Sequence, residues 1–132
     1  MAYQSAQPVK ITLEAAADLS AKQFYAVKVD ANGKAAVCAA VTDVPVGILQ
    51  NKPTSGQAAT IVSVGVSKID SNAALDEGNL IGTAADGQLA AYTPGSDTTK
   101  YVIGQMLTAT GGAGVIGTAL INCANPYRPY LI

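Results

Sequence analysis

Apolar and polar positions along this chain fall into short runs of period two, separated by turns rich in Gly, Asn, Asp and Pro, which is the pattern of a β protein. Val9, Ile11 and Leu13 alternate with Lys10 and Thr12 and predict a half-buried strand. Residues 14–21 contain good helix formers, but the stretch is too short to hold a helix alone and is read as a turn or a short helical connector. Residues 23–29 and 34–40 flank Asp30-Ala31-Asn32-Gly33 and predict a hairpin. Residues 44–50 and 58–66 are β-branched and apolar on either side of a polar, proline-containing turn, and residues 67–70 finish the second of these strands. Gly47 and Gly65 interrupt good strand sequence, as glycine does at a bulge or where another backbone comes close, so the sheet is expected to curve.

The same order then recurs. Residues 79–83, a turn at Ala85-Asp86-Gly87 and residues 88–92 mirror the first hairpin, while residues 101–107 and 115–121 follow the strands at 44–49 and 59–64. The offset is about 55 residues. Two copies of one β unit can cover each other's apolar faces. The expectation is an all-β fold, a small pseudo-symmetric β-sandwich or barrel from two repeated β units, with extended N- and C-terminal arms. One domain spans 1–132, divided into an N-terminal arm 1–8, a duplicated body 9–122 and a C-terminal arm 123–132.

The composition sharpens this picture. Hydrophobic residues make up 49% of the chain and charged ones 13%, about half the usual share of roughly 25%. Much of the apolar content is Ala and Val, with one Phe and no Trp, so the core is thin and the surface unusually neutral. A surface so poor in charge suggests that other protein covers part of it. The C-terminal arm ends in Tyr127, Arg128, Pro129, Tyr130, Leu131 and Ile132, whose prolines exclude a regular helix and whose Tyr and Arg are the types enriched at binding hot spots. It is read as an arm docking on a neighbour or as a strap over its own domain. With Tyr3, Gln4 and Pro8 of the N-terminal arm, these residues form the candidate interface.

Candidate chemistry is sparse. Without histidine, Ser-His, Cys-His and imidazole-metal sites are excluded within one chain. The carboxylates fall mainly at turns, where Asp caps backbone amides, and the acidic pair Asp76-Glu77 lacks the oxygen-rich loop that calcium needs. Residues 112–117 spell GxGxxG, but Val/Ile/Thr strand sequence follows where the dinucleotide fingerprint needs a helix. The eight basic residues are scattered singly and the six tyrosines are spread along the chain rather than interleaved with a basic cluster, so no nucleic-acid partner is expected. No membrane-spanning run and no leader pattern are present, and no cofactor or metal is called for. Cys38 and Cys123 are read as buried free thiols; a bridge is open to them only if their strands are neighbours.

The sequence resembles the capsid cement, or head decoration, proteins of tailed bacteriophages. The resemblance rests on residues 15–28 (AAADLSAKQFYAVK), 43–51 (DVPVGILQN) and 64–66 (VGV), with Glu77-Gly78-Asn79, and it covers nearly the whole chain. It implies a non-enzymatic virion protein, made in the host cytoplasm, that sits on the outer capsid surface. There it would clamp neighbouring major capsid subunits as a homotrimer and so stabilise the head. It carries over no catalytic residue. The family's usual Gly-Asp appears here as Gly78-Asn79, and the tail after Asn122 exceeds the minimal family pattern. The alternative is a small β-sandwich module that binds a ligand or glycan on the virion surface.

Overall fold

A computed structural model describes residues 7–126. Of the candidate interface residues it includes Pro8; Tyr3, Gln4 and Tyr127, Arg128, Pro129, Tyr130, Leu131 and Ile132 lie outside the described residues. The fold is all-β, a curled antiparallel sheet forming a half-barrel. Its strands are β1 (Val9–Glu14), β2 (Ala26–Val29), β3 (Ala35–Val37), β4 (Gly47–Leu49), β5 (Ala58–Asp70), β6 (Leu80–Thr83), β7 (Leu89–Ala91), β8 (Gly104–Met106) and β9 (Ile116–Asn122). Residues 14–21, whose alanines left a short helix open, form a bridge and bends instead: Ala15 pairs with Ala35, and the Asp18 carboxylate accepts the Ser20 N–H at 3.0 Å. Asx-turn chemistry outweighs alanine propensity over so short a span.

The strand order is β3-β2-β4-β5-β9-β8-β6-β7, with β1 on β5, and it reads the same from both ends once β2, β3, β4 and β5 are matched to β6, β7, β8 and β9. The thirteen-residue β5 belongs to both halves. Its first part pairs with β1 (Ile11 opposite Ile61, Leu13 opposite Ala59), and its second part pairs with β9 (Ser67 opposite Ala119, Ile69 opposite Gly117). Several loop hydrogen bonds recur in both halves. Ala15 N–H donates to Gln57 O at 2.8 Å as Ser71 N–H donates to Val115 O at 3.2 Å. Leu19 N–H donates to Pro53 O at 2.9 Å as Leu75 N–H donates to Thr110 O at 3.2 Å. Phe24 N–H donates to Leu49 O at 2.7 Å as Gly78 N–H donates to Met106 O at 2.8 Å. Even the backbone twist is copied: Phe24 (φ 68°) holds the left-handed conformation that glycine holds at Gly78 (φ 83°).

Gly47 and Gly104 occupy matching places in the two halves, and both are there for closeness. A Cβ on Gly47 would lie 2.4 Å from the Val62 carbonyl oxygen, and one on Gly104 would lie 2.2 Å from that of Leu120. The bulge expected around Gly65 falls two residues earlier: Val9 faces Val64 and Lys10 faces Val62, leaving Ser63 as the extra residue. Because a bulge offsets the alternation, β5 turns Ile61 into one apolar cluster and Ile69 into the other. The first cluster holds Leu19, Val27, Leu49 and Ile61; the second holds Ile69, Leu75, Ile81, Leu89, Ile103 and Met106. Ala26, Cys38 and Ile48, from the opposite face of the first half, also join the second cluster, so the first half lies stacked on the second.

Candidate interaction surface

The duplication allows each position to be compared with its own counterpart. In the first half, Ala26 pairs with Ile48 and Ile48 with Val62, forming one row across β2, β4 and β5. In the second half the matching row is Leu80, Gln105 and Leu120 across β6, β8 and β9. Burial separates the two rows sharply. Ala26 and Ile48 are 0% exposed and Val62 1%; Ala26 and Ile48 are packed in the second half's cluster. Leu80 is 39% and Leu120 47% exposed, and Gln105 stands in solvent with its side-chain amide donating to Gly78 O at 3.1 Å.

The open row lines a shallow groove of about 230 Å³ with Val102, Asn122 and Asn125. Among the described residues its polar side chains are neutral amides and no charged side chain lines it. Such a surface can bury apolar area against a partner without desolvating an ion.

The first half has the converse opening. Ile11, Leu13, Val37 and Val46 pack on their cluster but stay partly exposed, whereas the second-half counterparts of Leu13 and Val46, Ile69 and Ile103, are fully buried. Val29 is 48% exposed where its counterpart Thr83 is 1%. The turns tell the same story. The Gly87 turn is docked on the first half, where a Cβ would meet Val37 Cγ2 at 2.4 Å and Gly87 O accepts the Ala26 N–H at 2.7 Å; its counterpart Gly33 has nothing within 4 Å.

The approaches to both termini meet at one place. Val9 and Asn122 each pair with Val64, Cys123 N–H donates to Ser63 O at 2.8 Å, and the Ser63 hydroxyl reaches Val9 O at 3.4 Å. Pro8, half-buried, precedes this point on one side, and Asn125 brings the other side to the groove. Val9 and Asn122 therefore flank Val64 on its two edges.

Cys38 is buried and Cys123 half-buried, and both are free. Burial pushes both thiols up to about 12; the Asp43 charge adds to the rise at Cys38 and the neighbouring Cys38 adds to it at Cys123. Asp43 organises the loop after β3. Its carboxylate accepts Ala39 N–H at 2.8 Å, Ala40 N–H at 3.1 Å and Lys28 Nζ at 3.0 Å. These bonds, that from Ala39 foremost, hold it below the usual carboxylate range. The GxGxxG string at 112–117 forms a turn running into β9, with no helix for a phosphate to face.

Comparison with known proteins yields a match in fold. The chain is similar to the N base of the head fibre gp8.5 of bacteriophage phi29, with a TM-score of 0.61 and 15% identity over 89% of this chain and 96% of that one. At that identity, what is shared is the fold. No family model matches the chain, and no curated protein matches it.

Sequence reading missed the open Leu80–Gln105–Leu120 row because it took the two units to cover each other reciprocally. A signal was present. Once the repeats are set in register, Gln105 falls where the first unit has Ile48, and a glutamine in the middle of an otherwise apolar row marks a face that is not part of the molecule's own core.

Proposed function

We propose that this protein is a structural component of a phage particle. It binds the outer face of the assembled head and clamps neighbouring major capsid subunits, acting as a homotrimer whose β body, residues 9–122, is one rigid platform. The segments from Tyr3 to Pro8 and from Tyr127 to Ile132 are the arms that reach across to other subunits. The observation that carries this reading is the convergence of Val9 and Asn122 on Val64, since arms continuing from these two residues would start one strand apart on the longest strand. The fold shared with the phi29 head fibre base and the low charge of the chain support it. A clamp that binds only the joined arrangement stabilises the shell by mass action. Three linked copies multiply modest contacts through effective concentration.

The test is direct. Purified protein mixed with expanded, undecorated capsids should bind saturably, and deletion of residues 127–132 should weaken that binding at least tenfold. Binding no greater than background would refute the reading, and full binding by the deletion variant would remove the C-terminal arm from it.

A further inference from the structure

We propose that the open Leu80–Gln105–Leu120 row is covered by a second copy of this chain, which seats on it the exposed face of its own first half around Leu13 and Val29. The contact is head-to-tail and repeats the stacking already present between the two halves of one molecule. It goes beyond capsid binding, since it requires no capsid.

Three observations choose this occupant. First, the row that matches the open one is buried in every molecule, and what buries it is a copy of the same β unit. Second, each molecule has one face of each kind left over. The second half presents Leu80 and Leu120, while the first half presents Leu13, Val29 and Val46, whose counterparts complete the internal contact. Third, no charged side chain among the described residues lines the groove, so an apolar sheet face can settle on it without stranding an ion.

The internal contact supplies a template for the external one. Within the chain, Gly87 O accepts the Ala26 N–H at 2.7 Å and the Gly87 turn lies against Val37 and Cys38. In the assembly the second copy's Gly33 turn takes that position over Leu80, Ala91 and Tyr92. Gly33 has the positive φ (75°) and the clear surroundings that such a docking needs. Because the open row lies on the outer side of the second half and the Leu13–Val29 face on the outer side of the first, two rigid molecules cannot satisfy both contacts at once. Assembly must close as a ring or continue.

The experiment exploits that polarity. Wild-type protein, Leu120→Glu, Val29→Glu and an equimolar mixture of the two variants are compared by size-exclusion chromatography with light scattering, under reducing conditions and over a wide concentration range. Both replaced side chains are solvent-exposed in the single molecule, so each variant should keep the wild-type melting transition; if Leu120→Glu does not, Leu80→Glu replaces it. Wild-type protein should be oligomeric. Each single variant should be monomeric, its association weakened by about 100-fold or more through one buried, unpaired carboxylate. The mixture should give a 1:1 dimer, because Val29→Glu retains an intact row and Leu120→Glu retains the face that fits it. Wild-type protein that stays monomeric, variants that still oligomerise, or a mixture that gives no dimer would each overturn the proposal. A wild-type monomer whose 127–132 deletion self-associates would assign the groove to the chain's own tail and overturn it as well. Since no capsid is present, failure of capsid binding leaves this result untouched.

Discussion

Replacing Gly47 or Gly104 by alanine adds one methyl group at each of two matching points where strands meet. At Gly47 the new carbon would lie 2.4 Å from both Ile61 Cγ2 and the Val62 carbonyl oxygen; at Gly104 it would lie 2.2 Å from the Leu120 oxygen. Carbon and carbonyl oxygen approach no closer than about 3.3 Å in ordinary sheets, so roughly 1 Å must be found. It cannot come from a side-chain rotation alone, because the obstructing atoms are backbone of β5 and β9, the two central strands. Moving β4 or β8 outward weakens the pairs Ile48 with Val62 and Gln105 with Leu120. Overpacking of this kind costs about 1–3 kcal/mol. For a chain of this length each kcal/mol lowers Tm by about 3–5 °C, so Gly47→Ala and Gly104→Ala should each melt roughly 3–15 °C below wild type. Gly112→Ala is the control, since nothing lies within 4 Å of its added carbon. It should change stability by less than about 1 kcal/mol. Far-UV circular dichroism melts, checked by urea titration, measure all three. If Gly47→Ala and Gly104→Ala melt within about 2 °C of Gly112→Ala, the close-approach argument is wrong.

Asp43 and the two thiols give further testable outcomes. The Asp43 carboxyl is depressed in the folded protein, so its contribution is complete above the unfolded carboxylate value of about 3.9 and disappears as pH falls through the lower folded value. Asp43→Ala should therefore cost about 1–2 kcal/mol in urea titrations at pH 7 and clearly less at pH 2.5; an equal cost at both would dismiss the role given to its charge. Cys38 and Cys123, raised to about 12 and shielded, should react with a disulfide reagent at pH 8 at least about 100-fold slower in the folded protein than in denaturant, where both should titrate. Rapid modification of the native protein would show that one of them is open to solvent.

Much of the architecture could be read from the chain because the determinants are local. Asp30-Ala31-Asn32-Gly33 and Ala84-Ala85-Asp86-Gly87 place their glycines at φ 75° and 90°, so each hairpin is fixed by its own turn. Gly47 advertised a close backbone approach without any knowledge of what approached it. What could not be read is the asymmetry. Sequence equivalence predicts equal roles for Ile48 and Gln105, and for Val29 and Thr83, but burial depends on which half lies on top, a property of the whole assembly of strands. The strand at 44–50 also proved shorter than its apolar pattern suggested, with Gly47–Leu49 alone in the ladder, since Pro45 has no N–H to give. That Val9 and Asn122 both face Val64 depends on β1 and β9 flanking β5, which no local pattern encodes.

That placement makes the order of the polypeptide separable from the order of the sheet. Val9 and Asn122 pair with the two edges of the same residue, so the start of β1 and the end of β9 lie only one strand apart, on either side of β5. A short linker crossing over β5 would join them, and a cut in the exposed turn at Ser55 and Gly56 would move the chain ends elsewhere. The permuted molecule would keep every rung of the ladder while its appendages sprouted from a new location, freeing the engineer of a display scaffold to choose where cargo emerges.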